Sequence, residues 1–141
     1  MIQQVSVKLE NRPDTLVKLL DCLAREEISL RAYTIAEVET FGIMRMLVQD
    51  ADKTVAVLKA AGFPGVRKAE MLALRVADET GITLKAFNVL GKAGINVEYS
   101  YAFTMQGASH AIILLRVDDN EKAAKLLTQA GMALAKEEDL F

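Results

Sequence analysis

The chain contains an internal repeat, in which the pattern that begins at Val5 recurs from Leu72, 67 positions later. In the first copy the apolar run 5–9 leads into a polar turn, and in the second copy the run 72–76 does the same. A helical stretch follows each turn. Because both copies carry the same order of elements, the repeat predicts one supersecondary unit used twice. We therefore expect two small domains of similar fold, over residues 1–69 and 70–141.

The composition and charge exclude several functional classes. The formal net charge of −2 provides no basic surface for nucleic acid or for an anionic membrane. The single cysteine, Cys22, excludes an intramolecular disulfide framework and is typical of a reducing compartment. The chain enters its first strand directly after residues 1–4, which predicts no signal peptide, and the longest apolar run, 111–115, is too short to span a bilayer. We therefore expect a soluble protein of the cytoplasm.

Each copy is predicted to run strand, helix, strand, strand, helix, strand. Pro13 suits the first turn of the first helix, because its missing N–H would lack an intrahelical partner there in any case. Asp50 and Asp119 are the expected N-caps of the later helices. The apolar stripes of the first helices are assigned to Leu16, Leu20 and Leu23 in one copy and to Phe87 and Leu90 in the other.

Strict alternation along the strands assigns their side chains to two faces. The face away from the helices is expected to carry Arg31, Tyr33, Ile35, Arg45 and Leu47 in the first copy and His110, Ile112, Leu114 and Arg116 in the second. The face towards the helices is expected to carry Ile95, Val97, Tyr99, Tyr101 and Phe103. The returning strands match at an offset of 69, so the second hairpin should be about two residues longer. The last strands are expected near residues 66–69 and 134–140.

Two strand-helix-strand units joined by a hairpin predict an antiparallel sheet with both helices on one face, which is the ferredoxin-like sandwich. The predicted class is therefore α+β, with two ferredoxin-like βαββαβ sandwiches in tandem. The uncovered sheet face mixes aliphatic and charged side chains, which favours burial by the other repeat or by a second chain in a two-fold dimer. An amphipathic face that water tolerates is the alternative.

No set of side chains indicates catalysis or metal binding. The one histidine, His110, lies 88 positions from Cys22, and the two residues supply neither a metal-ligand cluster nor a nucleophile with its base. The methionines are interpreted as core residues rather than as a soft-metal site. We therefore expect no cofactor and no metal, and a small enzyme is the least favoured of three possible functions.

The remaining candidate site is the turn before the first helix of each copy, at residues 11–15 and 78–82. Helix N-termini present N–H groups that bind carboxylates without any catalytic group.

The same region resembles a known family. The segments similar to an ACT domain are residues 7–16, 23–24 and 28–30 in the first copy and residues 76–81 and 94–97 in the second. The resemblance covers nearly the whole chain, as two ACT domains in tandem.

The resemblance implies a regulatory module that binds small molecules, usually amino acids, where two ACT domains pack together. The site of the family uses the first turn, often proline-glycine, and the facing second strand. The first copy keeps Pro13 but has Asp14 where glycine is usual, and the second keeps Gly81 but has Thr80 where proline is usual. Because glycine lets a ligand approach the backbone, the turn around Gly81 is preferred if only one turn binds. Loss of binding in both copies stays open.

The leading hypothesis is a non-catalytic protein that binds an amino acid and works as a homodimer or with an enzyme that it controls. Turn N–H groups would hold the ligand carboxylate, and the second strands would read its amino group or side chain. The predicted ligand-binding residues are Asn11, Arg12, Pro13, Asp14, Thr15, Leu16, Arg31 and Tyr33, and Asp78, Glu79, Thr80, Gly81, Ile82, Thr83, Glu98 and Tyr99. The alternative is an interaction subunit that binds a partner enzyme of amino-acid metabolism through its open sheet face, without its own ligand.

Overall fold

The computed structural model describes all residues from Met1 to Phe141, and its elements follow the predicted order. The strands are β1 (Ile2–Glu10), β2 (Leu30–Val38), β3 (Phe41–Val48), β4 (Arg67–Ala77), β5 (Val97–Thr104), β6 (His110–Val117) and β7 (Ala133–Leu134). The helices are α1 (Pro13–Arg25), α2 (Ala51–Ala60), α3 (Ile82–Lys92) and α4 (Asn120–Gln129), and a short 3₁₀ helix, Glu137–Asp139, follows β7.

Two of the strands differ from their predicted lengths. β4 is one continuous strand where the sequence predicted two, because no glycine or proline interrupts residues 67–77. The strand predicted near residues 134–140 is only the two residues of β7. Beyond it the chain turns into the 3₁₀ helix, in which the Lys136 N–H donates to Asp139 Oδ2 at 2.7 Å.

The chain forms two compact units. The first unit comprises Gln3–Ala69 with Phe141, and the second comprises Glu70–Leu140 with Met1 and Ile2. The strands of the first unit are ordered β2-β3-β1, and those of the second are ordered β5-β6-β4-β7. All of these neighbouring pairs are antiparallel. Each unit therefore has an antiparallel sheet, as the sequence predicts.

In each unit both helices pack on the same face of the sheet. The core of the first unit includes Val5, Val7, Leu9, Met44, Met46 and Val48 from the strands and Leu19, Leu23 and Leu58 from the helices. At equivalent positions the second core has Leu72, Leu74, Val76, Ile113, Leu115 and Val117, with Ala86, Leu90 and Leu127. These clusters confirm an α+β fold of two ferredoxin-like units with the helices on one face.

The apolar stripe of α1 differs at one position from the prediction. Leu20 is 39% exposed, whereas Leu19 is fully buried. Both residues fit an apolar stripe that runs from Leu16 to Leu23, because a helical period of 3.6 allows spacings of three and of four. The packing against the sheet selects Leu19, so the assignment of Leu20 to the core was wrong.

The strand registers confirm the predicted difference between the two hairpins. Val5 pairs with Met46, and Leu72 pairs with Leu115, so the repeat offset is 67 on one strand and 69 on the other. Only residues 39–40 join β2 to β3, while residues 105–109 join β5 to β6. The second hairpin is therefore the longer one.

A β-bulge in β2 reverses the predicted side-chain parity of the first unit. The register of β2 on β3 shifts between Leu30 and Ala32. Beyond the shift Tyr33 pairs with Met46 and Ile35 with Met44, which are core residues on the helix side. The assignment of Tyr33 and Ile35 to the face away from the helices was wrong, because one extra residue moves every later side chain to the other face.

The second unit has a bulge at the equivalent position. The register of β5 on β6 shifts between Val97 and Tyr99. Beyond the shift the aromatic side chains Tyr99, Tyr101 and Phe103 pair with Arg116, Leu114 and Ile112, on the face away from the helices. Their assignment to the helix side was therefore wrong, whereas Val97 does pack against the core of the second unit.

Three side chains predicted for an open sheet face are buried. Leu47, Ile112 and Leu114 are at most 1% exposed in the single chain. An amphipathic face that water tolerates is therefore excluded for these three residues, and their burial needs no second chain. The exposed apolar residues of the strands lie instead on β2, where Tyr33, Ile35 and Val38 are 57%, 42% and 41% exposed.

The helix ends follow the signals in the sequence. The side chains of Asp50 and Asp119 accept hydrogen bonds from the backbone N–H groups of Lys53 and Lys122, at 2.9 and 3.0 Å. Such caps stabilise a helix by about 1 kcal/mol each. Pro13 occupies the first turn of α1, as predicted.

Candidate functional site

The turn before α1 is held by its own backbone. The Arg12 N–H donates to the Glu10 carbonyl at 2.8 Å, and the Thr15 N–H donates to the Arg12 carbonyl at 3.3 Å. Arg12 is the N-cap residue with extended backbone angles, and Pro13 begins the helix. Since Pro13 has no N–H and the Thr15 N–H is already bonded to the Arg12 carbonyl, this turn presents mainly the positive end of the helix dipole.

A cavity of about 360 Å³ opens beside this turn. Its lining comes from the end of β1, the turn, the start of α1 and the strands β2 and β3, and consists of Leu9, Glu10, Asn11, Arg12, Pro13, Leu16, Ile35, Glu37 and Gly42. The bulge in β2 puts Ile35 and Glu37 on this side of the sheet, opposite Met44 and Gly42. The cavity therefore combines apolar walls with three charged side chains.

The charged groups at this turn form short ion pairs. Arg12 Nη2 lies 2.9 Å from Glu10 Oε2, and Arg12 Nε lies 3.9 Å from Asp14 Oδ1. Lys18 Nζ lies 3.0 Å from Asp14 Oδ2. The hydrogen bond from Lys18, followed by the charge of Lys18, lowers the pKa of the Asp14 carboxyl below its ordinary value of 3.8. Asp14 is thus ionised and already paired at neutral pH.

The structure brings four of the predicted residues of the first copy to the cavity. These are Asn11, Arg12, Pro13 and Leu16. Asp14 and Thr15 belong to the first turn of α1 but do not line the cavity. The Thr15 hydroxyl oxygen is buried without a hydrogen-bond partner.

The two predicted residues of the second strand lie elsewhere. Arg31 occupies the bulge, and its guanidinium carbon is 5.6 Å from the centroid of the Phe141 ring. Tyr33 is exposed and does not line the cavity. A role for Arg31 and Tyr33 in ligand binding stays a prediction, and the strand residues that reach the cavity are Ile35 and Glu37.

The turn of the second unit repeats the backbone pattern of the first. The Glu79 N–H donates to the Ala77 carbonyl at 2.9 Å, and the Ile82 N–H donates to the Glu79 carbonyl at 3.4 Å. Gly81 is the N-cap residue and has a left-handed φ of 87°, so α3 begins only at Ile82. No atom lies within 4 Å of the position that a Cβ would take on Gly81. A ligand could therefore approach the backbone of this turn closely, which is the property for which Gly81 was preferred.

Glu98 and Tyr99 contact residues of the neighbouring strands. The Tyr99 hydroxyl donates to Met71 Sδ at 3.6 Å, on the face away from the helices. Glu98 Oε2 lies 3.4 Å from Arg116 Nε, and Arg116 pairs with Tyr99 across the sheet. A role for Glu98 and Tyr99 in ligand binding stays a prediction.

Five cavity residues were missed at the sequence level. They are Leu9, Glu10, Ile35, Glu37 and Gly42. Leu9 was assigned only to a strand, and Ile35 was assigned to the wrong face. The change of apolar spacing from Leu30 to Tyr33 and Ile35, an odd step in a strand, is the signal that indicates the bulge.

No group of three or more histidine, cysteine, aspartate or glutamate side chains is arranged to hold a metal ion. None of the helices has the length and apolar character needed to cross a membrane.

The fold is shared with other proteins of known structure. The chain is similar to protein BT0572 from Bacteroides thetaiotaomicron, with 30% identity, a TM-score of 0.90, and coverage of 99% of this chain and 94% of that one. It is also similar to the regulatory subunit of aspartate kinase from Thermus thermophilus, with 16% identity, a TM-score of 0.65 and 91% of each chain covered. A third similar structure is that of aspartokinase alpha and beta subunits, with 16% identity, a TM-score of 0.62, and 91% and 90% covered.

The sequence itself decides the family. No curated protein matches the chain in a sequence comparison. The family model described as an ACT domain pair matches residues 1–141, which is the whole chain. The match agrees with the two units, whose cores use equivalent positions. The chain therefore belongs to the family of ACT domain pairs.

Proposed function

We propose that this ACT domain pair is a non-catalytic regulatory protein that binds an amino acid in the cavity beside α1. The observation that carries the proposal is the cavity itself, which places a helix N-terminus, apolar walls and carboxylates around one space of about 360 Å³. This volume lies at the lower end of the roughly 300–1,000 Å³ that is typical of small-molecule pockets. Membership of a family of regulatory modules supports the same function.

The lining provides for each part of an amino acid. The start of α1 borders the cavity with the positive end of the helix dipole, which favours the ligand carboxylate. The carboxylate of Glu37 provides a partner for the ligand ammonium group. The apolar walls from Leu9, Pro13, Leu16 and Ile35 would receive its side chain.

We place the principal site at the first turn rather than at the turn around Gly81. At the positions equivalent to Leu16, Ile35 and Glu37 the second unit has Thr83, Ala102 and Thr104. These small side chains offer little apolar surface and no carboxylate. Residues 78–83 stay candidate ligand-binding residues of the second copy, with a different ligand preference.

Regulation would follow from a difference in affinity between two states of the protein. A ligand shifts an equilibrium only by as much as it binds one state more tightly than the other. The exposed side chain of Tyr33 lies on β2, the strand that also contributes Ile35 and Glu37 to the cavity, and it gives a second copy, or a controlled enzyme, a surface to contact. We propose a homodimer as the working form.

The test is thermal unfolding of the purified chain with each of the twenty amino acids at millimolar concentration. A ligand at about 100 times its Kd stabilises the folded state by about 2.7 kcal/mol, which raises the Tm by several degrees. The variants Leu16→Trp and Thr83→Trp form a matched pair, because they fill equivalent places in the two units. We expect only Leu16→Trp to abolish the response. A response abolished by Thr83→Trp alone would move the site to the second unit, and no response to any amino acid would overturn the proposal.

A second candidate function is an interaction subunit for an enzyme of amino-acid metabolism. The observation that favours it is the exposure of Tyr33, an aromatic side chain on the outer strand β2. Co-purification of an enzyme that is lost in Tyr33→Asp, and kept in Leu84→Asp on the exposed face of α3, would support this function. Ile112→Asp is unsuitable, because Ile112 is buried and a charge there would unfold the protein.

A further inference from the structure

We infer that the ligand of the first-unit cavity is an amino acid with an uncharged aliphatic side chain, and that Ile35 sets this specificity. The inference rests on the proposed amino-acid site and names its ligand class. It depends on three observations: the apolar walls, the pairing of the nearby charges, and the different residues at the equivalent positions of the second unit.

The walls of the cavity favour an apolar ligand. Leu9, Pro13, Leu16 and Ile35 contribute its apolar surface. Leu9 on β1 is 5% exposed and belongs to the core, whereas Ile35 on β2 is 42% exposed. A ligand that covers Ile35 removes apolar surface from water, and this gain grows with the area covered. A hydroxyl or amide placed against these four apolar side chains would lose hydrogen bonds to water that they cannot replace.

The charges beside the cavity disfavour an acidic side chain. Arg12 is the one cationic side chain in the lining, and its guanidinium is 2.9 Å from the Glu10 carboxylate. The Glu37 carboxylate forms no salt bridge with any residue of the chain. One ammonium group matches this unpaired carboxylate. A ligand with a second carboxylate would meet repulsion, and a ligand with a second ammonium group would have to bury it against apolar walls.

The second unit serves as an internal comparison. It has the same turn hydrogen bonds and the same bulge, but Ala102 stands where Ile35 stands and Thr83 where Leu16 stands. The apolar walls are thus a property of the first unit's side chains and not of the backbone that the two units share. Ile35 and Leu16 are the residues that distinguish the two turns as binding sites.

The experiment is a calorimetric titration of the full chain with L-leucine, L-serine, L-aspartate and L-lysine. We expect leucine to bind at least about tenfold more tightly than the other three, which corresponds to about 1.4 kcal/mol. Ile35→Ala should weaken leucine binding about tenfold. Val38→Ala is the matched control, because Val38 lies on the same strand with almost the same exposure but does not line the cavity, and it should leave binding unchanged.

The possible outcomes separate the inference from the proposed function. Tighter binding of serine, aspartate or lysine would overturn the aliphatic class while leaving an amino-acid site in place. Equal loss of leucine binding in Ile35→Ala and Val38→Ala would overturn the role of Ile35. If none of the twenty amino acids binds at millimolar concentration, the proposed function fails and the inference fails with it. Both substitutions are at exposed positions, and equal Tm values of the two variants would confirm that both are folded.

Discussion

The turns that precede α1 and α3 share a backbone pattern and differ in where the helix begins. In each, an N–H donates two residues back, from Arg12 to Glu10 and from Glu79 to Ala77, at 2.8 and 2.9 Å. α1 begins at Pro13, whereas α3 begins at Ile82, two residues later in the frame of the repeat. Proline is already set for a first helical turn, while the positive φ of Gly81 delays the helix. Two residues therefore change the local geometry without changing the fold.

The same comparison separates scaffold from binding chemistry. The core clusters of the two units use equivalent positions, such as Leu23 and Leu90, with side chains of the same kind. The residues beside the turns differ in size and polarity, since Leu16 and Ile35 are replaced by Thr83 and Ala102. In general, one fold can carry different functions because the side chains of its sites vary while the backbone fold stays constant.

The largest expected effect tests whether the two cores are equivalent. Leu23→Ala and Leu90→Ala should each lower the free energy of unfolding by about 2–5 kcal/mol, because both side chains are at most 2% exposed and leave a cavity when truncated. Urea unfolding measures the loss. Leu20→Ala, on the exposed side of α1, is the control and should cost less than about 1 kcal/mol. Losses for Leu23→Ala and Leu90→Ala that differ by more than about 2 kcal/mol would contradict equivalent packing.

A smaller effect tests the role of Gly81 in delaying α3. Gly81→Ala should lower stability by about 1–2 kcal/mol, because an alanine at a φ of 87° is strained. The strain would act alone, since the new Cβ meets no atom within 4 Å. Gly91→Ala, inside α3 with equally open space, is the matched control and should raise stability by about 0.4–1 kcal/mol. Opposite signs in thermal unfolding would support the conformational explanation, and equal losses would refute it.

The parts of the fold that depend on local chemistry could be predicted from the sequence. Asp50 and Asp119 cap their helices because the side chain of an aspartate just before a helix can accept a hydrogen bond from the backbone N–H three residues later. The bulges could not be predicted by alternation, because one extra residue at Arg31 or Glu98 inverts every assignment after it. The choice between Leu19 and Leu20 depends on packing against the sheet, which a helical period alone does not fix.

The same limit applies to the candidate site. The turn residues Asn11, Arg12 and Pro13 could be predicted because they are consecutive in sequence and next to a helix start. Ile35 and Glu37 could not, because they reach the cavity only through the register of β2 on β3. Two bulges at equivalent positions of a repeat show that the register shift belongs to the shared scaffold. The apolar residues that follow the first bulge give the site its character.

The smallest expected effect concerns Asp14, which has no acidic counterpart in the second unit because Gly81 occupies the equivalent position. The hydrogen bond and charge of Lys18 lower the pKa of Asp14 in the folded state below 3.8. A lowered folded-state pKa contributes stability that is fully present above the unfolded pKa and is lost as the pH falls through the folded pKa. Asp14→Asn should therefore be slightly less stable than the native chain at neutral pH, and equally stable in strong acid.

Urea unfolding at neutral pH and at about pH 2, with and without added salt, measures this difference. Asp21→Asn is the control, because Asp21 also pairs with a residue four positions later, Arg25, at 2.9 Å, but lies away from the helix N-terminus. Since a negative charge is favourable only near the positive end of the helix dipole, Asp14→Asn should cost more than Asp21→Asn. A loss of stability in Asp14→Asn that persists at about pH 2 would show that the side chain acts by its shape rather than by its charge. The proposed electrostatic difference between the two turns would then be refuted.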